Sequence, residues 1–259
     1  MSIAVVILTF NRPHLLEQCL EKVVGRTSDR TTEILLVDNG STDGTSETIA
    51  RFCDPRVRVI RNRRNIGQSA YRPAFARTTA EYLIELDDDV IDAPEAWDRT
   101  LLDAFERLPE VGFLAANLVD EPNDVTARIM YGHSASAYRF EERNGVQLKL
   151  GPVGGWCAIT SRAIYDEVGG FRRSRHTFWL EDAAYIKDIR ARGYEAAILD
   201  DLRVAHAGGE FFAPVSSAKE RYWQSFRRRN RRRRAAKRLL LALPPIRSLN
   251  ARHGWFRAP

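Results

Sequence analysis

A chain of 259 residues, 44% of them hydrophobic, is long enough to bury one large core, and its ordinary glycine and proline content excludes fibrous and wholly disordered classes. Three cysteines, Cys19, Cys53 and Cys157, stand far apart with no CxxC spacing, so neither a zinc site nor a disulfide framework is indicated and a reducing cytosol is expected. The net charge of +6 is unevenly placed: from Pro214 onward 14 basic residues face one acid, Glu220, while the preceding chain holds 26 basic against 33 acidic residues, a net −7.

The first run, "IAVVILT" (3–9), has the length of a buried strand, far short of the roughly 20 residues that span a bilayer, and carries no basic flank of a signal peptide. Neither a signal peptide nor a spanning helix is therefore expected. Further short, β-branched runs follow at "EILLVD" (33–38), "VRVIRN" (57–62) and "YLIELD" (82–87), separated by helix-like stretches at 13–25, 43–53 and 67–79. This alternation predicts an α/β fold with a mostly parallel sheet and helical crossovers. Pro13 suits a first helical turn, the polar cluster from Asn39 to Asp43 predicts a turn that caps the next helix, and a proline-started helix is expected near Pro94. The later runs "VGFLAAN" (111–117), the hairpin region "RFEERNGVQLKL" (139–150) and "VGGWCAIT" (153–160) add mixed and antiparallel pieces.

Ligands of open α/β sheets gather at the carboxyl ends of strands, where this chain places Thr9 to Asn11, Asp38 to Ser41 and Asp87 to Asp89. Neither a GxGxxG turn nor a GxxxxGK[ST] loop is present, which weighs against a dinucleotide oxidoreductase or a phosphate-loop enzyme. Three adjacent carboxylates repel one another, so the fold must offer them a cation or polar partners. Asp87 and Asp89 fall on one side of the strand or turn and are placed to share a hard divalent ion with phosphate oxygens. Each residue also has a plain structural reading: a solvated aspartate turn, an Asx-turn at Asp38, a strand threonine at Thr9, a satisfied buried His206.

The ordered set "VVILTFNRPHLLEQCL", "EILLVDNGSTDGT", "RNIG", "LDDD", "GGWCAITSRAIYDEVGGF", "WLEDAAYIKDIRARGY" and "VAHAGG", spread over roughly residues 3–210, resembles the inverting family-two glycosyltransferases of GT-A fold, among them bacterial rhamnosyl- and galactofuranosyl-transferases. The resemblance implies a Rossmann-like catalytic domain at 1–213, with a nucleotide-sugar-binding half (1–117) and an acceptor-side half (118–213), followed by a basic helical tail at 214–259. It implies a nucleotide site from Thr9, Asn11, Asp38, Asn65, Asp87 and Asp88, and a DXD-type Mn²⁺ or Mg²⁺ site from Asp87, Asp89 and His206. It further implies a general base at Asp182, with Glu181 as the alternative, acceptor contacts from Gly155, Trp156 and Trp179, and a UDP- or dTDP-linked hexosyl or deoxyhexosyl donor. Departures occur at "QSAYRPAFA", where Tyr71, Arg72, Pro73 and Phe75 replace a small-residue run, and at Ala184 and Asp188.

The expected acceptor is a glycan, a lipid-linked molecule or a small molecule, in cell-surface glycan or glycoconjugate synthesis. In the tail, Tyr222, Trp223, Phe226, Ala236, Leu239, Leu240 and Leu243 form an incomplete apolar stripe among arginines, the profile of a helix lying on an anionic membrane surface. A peripheral place on the cytoplasmic face of the plasma membrane follows as an expectation. The lack of an aromatic stacking platform or RNA module argues against nucleic acid, and packing on the enzyme's own acidic body is the plain alternative. A sugar-nucleotide nucleotidyltransferase and an inactive polyanion- or sugar-binding module are the competing functions.

Overall fold

The computed structural model describes residues 1–119, 138–173 and 181–207, together with Arg228, Arg231, Arg232 and Ala235; Trp179 and most of the tail lie outside the described residues. The chain divides into two compact units, Met1–Gly209 and Glu210–Pro259.

In the first unit β1 (Ile3–Thr9), β2 (Thr31–Asp38), β3 (Val57–Arg61) and β4 (Tyr82–Asp87) form the parallel part of one sheet, in the order β3-β2-β1-β4. The order continues through β9 (Cys157–Ser161), β6 (Val111–Leu118), β10 (Glu195–His206), β8 (Val146–Leu150) and β7 (Arg139–Arg143), while the short β5 (Val90–Asp92) pairs with the end of β10. β9 runs antiparallel between β4 and β6. Ile3 to Ile7 are wholly buried, as a parallel strand covered on both faces requires. The hairpin β7–β8 turns at Asn144 and Gly145, both with positive φ, which fits the Asn-Gly turn signal.

The helices are shorter than their apolar periodicity predicts. Helix α1 (Pro13–Gln18) gives way to a π-helical turn over Cys19–Val23 and a 3₁₀ turn over Val24–Arg26, where the Trp97 indole N–H donates to the Val23 carbonyl at 2.9 Å. Helix α2 spans Thr45–Arg51, and the stretch at 67–79 resolves into a 3₁₀ turn over Gly67–Ala70 and α3 (Tyr71–Phe75). Helix α4 (Trp97–Glu106) starts three residues beyond Pro94, correcting the proline-started helix. Its start is fixed from elsewhere: Ala96, in the left-handed region, donates its N–H to the Arg26 carbonyl, and buried Asp98 accepts from Ser28 and Thr31. Helices α5 (Arg162–Glu167) and α6 (Glu181–Arg190) complete the described helices of this unit.

Register places the polar strand ends at one level. Thr9 pairs with Asp38 across β1 and β2, Leu8 pairs with Asp87 across β1 and β4, and His206 pairs with Val90 just beyond the aspartates.

Candidate active site

The first two strand ends are tied together by a polar lattice. Asn11, at φ 54°, turns the chain out of β1; its N–H donates to Ser41 Oγ at 3.1 Å, and its side-chain oxygen accepts from the Thr42 N–H at 2.8 Å. The buried Asp38 carboxylate accepts from the Ser41 N–H, three residues on, at 2.9 Å and from Ser46 Oγ at 3.1 Å, so it holds the turn after β2 and ties it to α2. Buried Asn39 donates to Asn65 Oδ1 and the Gly67 carbonyl and accepts from Asn62 and the Ile66 N–H. Asn65 therefore clamps the "RNIG" loop to β2. A Cβ on Gly40 would stand 2.7 Å from Arg64 backbone, and its φ of 81° is open to glycine, so the two loops meet there at backbone contact.

The third strand end carries the three aspartates, and they have partners on two sides. Arg12 Nη1 lies 2.9 Å from Asp88 Oδ1 and 2.9 Å from Asp89 Oδ2. On the other side His206 Nε2 lies 3.0 Å from Asp89 Oδ1 and 4.0 Å from Asp87 Oδ2. The β5–β10 pairing puts the histidine there, reinforced by the Ala207 N–H donating to the Asp89 carbonyl at 2.7 Å. Ligand atoms of Asp87, Asp89 and His206 lie within 4.8 Å of one another. The Asp87 side chain is 41% exposed, against 5% for Asp89, so Asp87 faces the crevice.

The electrostatics follow from this crowding. Although the Asp87 side chain opens on the crevice, desolvation by the protein packed around it, then the neighbouring Asp89 charge, pushes its carboxyl up to about 7 against the pull of His206 and Arg12. Burial also raises Asp88, partly offset by Arg12. Burial works against the Arg12 charge, but Asp88, Asp89 and Asp87 outweigh it and raise its pKa. Two carboxylates and an imidazole form a donor set suited to Mn²⁺, and to Mg²⁺ through the oxygens, so these residues fit a divalent ion.

A second acidic group lies at the start of α6. Asp182 Oδ2 accepts from the Gly155 N–H at 3.1 Å and Oδ1 from the Ala183 N–H at 2.6 Å. Beside it stand buried Glu85 of β4 and buried Glu181; burial, and then the charges of neighbouring acids, raise both carboxyls above the usual range. Burial raises Asp182 as well, opposed by its backbone donors. A Cβ on Gly155 would stand 2.6 Å from Glu85 Oε2, so glycine lets the turn approach that carboxylate without displacing it. Trp156 is half-buried, with its indole N–H donating to the Ala116 carbonyl at 2.8 Å.

The structure thus brings together Thr9, Asn11, Asp38, Asn65, Asp87, Asp88, Asp89 and His206 around the strand ends, and Gly155, Trp156, Glu181 and Asp182 around the α6 start. Sequence reasoning gave Arg12 and Glu85 no role at the site and read Asn39 only as part of the polar turn after β2. Glu85 had a signal, a charge in the middle of the otherwise apolar "YLIELD"; Arg12 had none beyond its place before Pro13. Tyr71, read only as a departure, is buried with its hydroxyl 3.4 Å from Asp87 Oδ1.

Comparison with known proteins bears on this arrangement. Residues 4–169 match the family described as glycosyl transferase family 2. An uncharacterised protein of Sinorhizobium fredii is 28% identical over 74% of this chain, which spans only 23% of that relative's length. An N-acetylglucosaminyl-diphospho-decaprenol L-rhamnosyltransferase of Mycobacterium tuberculosis is 27% identical over 78% of this chain and 75% of its own. An undecaprenyl-phosphate 4-deoxy-4-formamido-L-arabinose transferase of Klebsiella pneumoniae is 32% identical over 46% of this chain and 38% of its own. Among solved structures, a mannosyltransferase from Pyrobaculum calidifontis in complex with GDP-Man and Mn²⁺ superposes with a TM-score of 0.59 at 22% identity, over 80% of this chain and 57% of that one. GalNAc-T7 with UDP, GalNAc and Mn²⁺ gives 0.63 at 17% identity, over 80% and 44% of the two chains. The shared fold is the GT-A arrangement.

Proposed function

The chain belongs to glycosyl transferase family 2, and on that premise we propose that it is a divalent-metal-dependent, inverting enzyme moving a hexosyl or deoxyhexosyl group from a nucleoside diphosphate to an acceptor hydroxyl. The observation that carries this reading is the group of Asp87, Asp89 and His206, with ligand atoms within 4.8 Å of one another, at strand ends level with Asp38. Asp87, Asp89 and His206 would hold Mn²⁺ or Mg²⁺, which when bound stabilises charge on a leaving diphosphate. Thr9, Asn11, Asp38 and the Asn65 loop form the wall for base and ribose of the donor, UDP- or dTDP-linked in this reading. Asp88, held by Arg12, supports that wall from beneath.

In transfer, the acceptor oxygen forms its bond to the anomeric carbon as the bond to the diphosphate oxygen breaks, and that electron pair leaves with the phosphate. The acceptor proton passes to Asp182, whose carboxyl is raised by burial and so suited to receive it. Gly155 and Ala183 fix the orientation of that carboxylate. A single displacement inverts the anomeric centre.

The acceptor in this reading is lipid-linked, which is supported by two relatives named for polyprenyl-linked substrates. Arg228, Arg231 and Arg232 are exposed on a helix in the tail, a surface suited to anionic lipid and hence to a peripheral place on the cytoplasmic face of a membrane. Among the described residues no helix is long and apolar enough to cross one. Incubating the full chain and Mn²⁺ with UDP-, dTDP- and GDP-sugars tests the reaction class. Slow hydrolysis of one donor, lost in EDTA and releasing a sugar of inverted configuration, is expected. A retained configuration contradicts the single displacement.

A further inference from the structure

The aspartate turn is compensated from two sides, and these sides differ in kind. The His206 side is open to the crevice through Asp87, whereas the Arg12 side is closed: the Arg12 side chain is 18% exposed, Asp88 6% and Asp89 5%. One nitrogen, Nη1, makes both carboxylate contacts at 2.9 Å. Its main chain is fixed as well, by the N–H of Arg12 donating to Thr45 Oγ1 at 3.2 Å, by the left-handed turn at Asn11 and by Pro13.

We propose that Arg12 is a positioning residue for the metal site: by holding Asp89 Oδ2 and Asp88 Oδ1 it reserves Asp89 Oδ1 for the ion and withholds Asp88 from it. The inference rests on reading Asp87, Asp89 and His206 as metal ligands. The two oxygens of Asp89 have separate neighbours, Arg12 on one and His206 on the other, so the carboxylate cannot rotate without losing one of them. Asp88, with its Oδ1 on Arg12, is not part of the donor group, which among the described residues comprises Asp87, Asp89 and His206.

Charge alone gives the opposite expectation. A fixed cation this close repels a divalent ion, so a merely electrostatic Arg12 would weaken metal binding and its removal would tighten it. A positioning Arg12 strengthens binding, and its removal loosens it.

The test is a titration of Mn²⁺ alone into the full-length chain and its Arg12→Met, Arg12→Lys and Arg12→Met/Asp88→Asn variants, with free Mn²⁺ read by its paramagnetic resonance signal and folding by circular dichroism. The double variant removes the buried carboxylate that Arg12→Met leaves uncompensated, and it carries the test if the single variant does not fold. Arg12→Met and the double variant should bind Mn²⁺ about ten-fold or more weakly, the usual scale for losing a partner of a ligand carboxylate. Arg12→Lys should keep most of the affinity, since one ammonium can replace the one nitrogen that makes both contacts. Unchanged or tighter Mn²⁺ binding in the folded double variant overturns the proposal. Asp89→Asn separates the two levels: if it alone loses Mn²⁺, only the role of Arg12 fails; if it binds like the parent, or the parent binds none, the metal reading fails and takes the proposal with it.

Discussion

Asp182 and Glu181 are adjacent acids in very different situations, and the difference decides their expected roles. Asp182 is held by two backbone N–H groups, while Glu181 is buried close to Glu85, its carboxyl raised by burial and by the Asp182 charge. Asp182→Asn should lower transfer by about 100-fold or more through loss of the base, while donor affinity changes little. It should also cost about 1–2 kcal/mol of stability, because an amide replaces one of two acceptor oxygens facing N–H groups. Glu181→Gln replaces a buried carboxyl by a neutral group of the same shape and leaves the backbone contacts of Asp182 in place, so it should be mild in both respects. Rates of transfer, donor affinity and thermal midpoints of the two variants check this; loss of transfer in Glu181→Gln alone would exchange the roles. At this scale the acids of "LDDD" and "LED" were legible because runs of carboxylates at strand and helix ends are chemically conspicuous. Arg12 was not, because one arginine in a chain with 40 basic residues carries no signal until the fold aims it.

Among the elements, strands were legible where helices were not. "IAVVILT" is β1 to the residue, since a strand buried on both faces writes itself as a continuous apolar run. The stretch 13–25 has helical periodicity but is cut into three kinds of turn, because the Trp97 indole and buried packing around Cys19, Leu20 and Val23 determine its path. That information lies more than 70 residues away and cannot be read locally. The approach of the 155 turn to β4 is similarly nonlocal. Gly155→Ala would drive a methyl group against Glu85, so a loss of about 1–3 kcal/mol is expected from overpacking, with reduced transfer because the same residue's N–H orients Asp182. Denaturant unfolding together with transfer rates measures both; a variant equal to the parent in each would show that the turn yields freely.

The whole molecule joins an acidic body to a strongly basic tail, a division the sequence displays plainly. Arg228, Arg231, Arg232 and Ala235 are each helical and exposed. With each basic residue worth about 1 kcal/mol near an anionic leaflet, replacing the three arginines by serine should weaken binding to phosphatidylglycerol-containing vesicles by up to about 100-fold at low salt. Donor hydrolysis in solution should be unaffected. Cosedimentation equal to the parent would remove the tail from the account of membrane docking. Family membership replaces the nucleotidyltransferase reading, and what remains central is the proposal that an ion at the β4 end holds the donor. Calorimetric titration of the matching nucleoside diphosphate, with Mn²⁺ and with EDTA, into the parent and Asp89→Asn addresses this directly. The parent should bind in Mn²⁺ and lose most of its affinity in EDTA, while a folded Asp89→Asn should bind weakly under both conditions; full manganese-dependent affinity in Asp89→Asn would contradict the site.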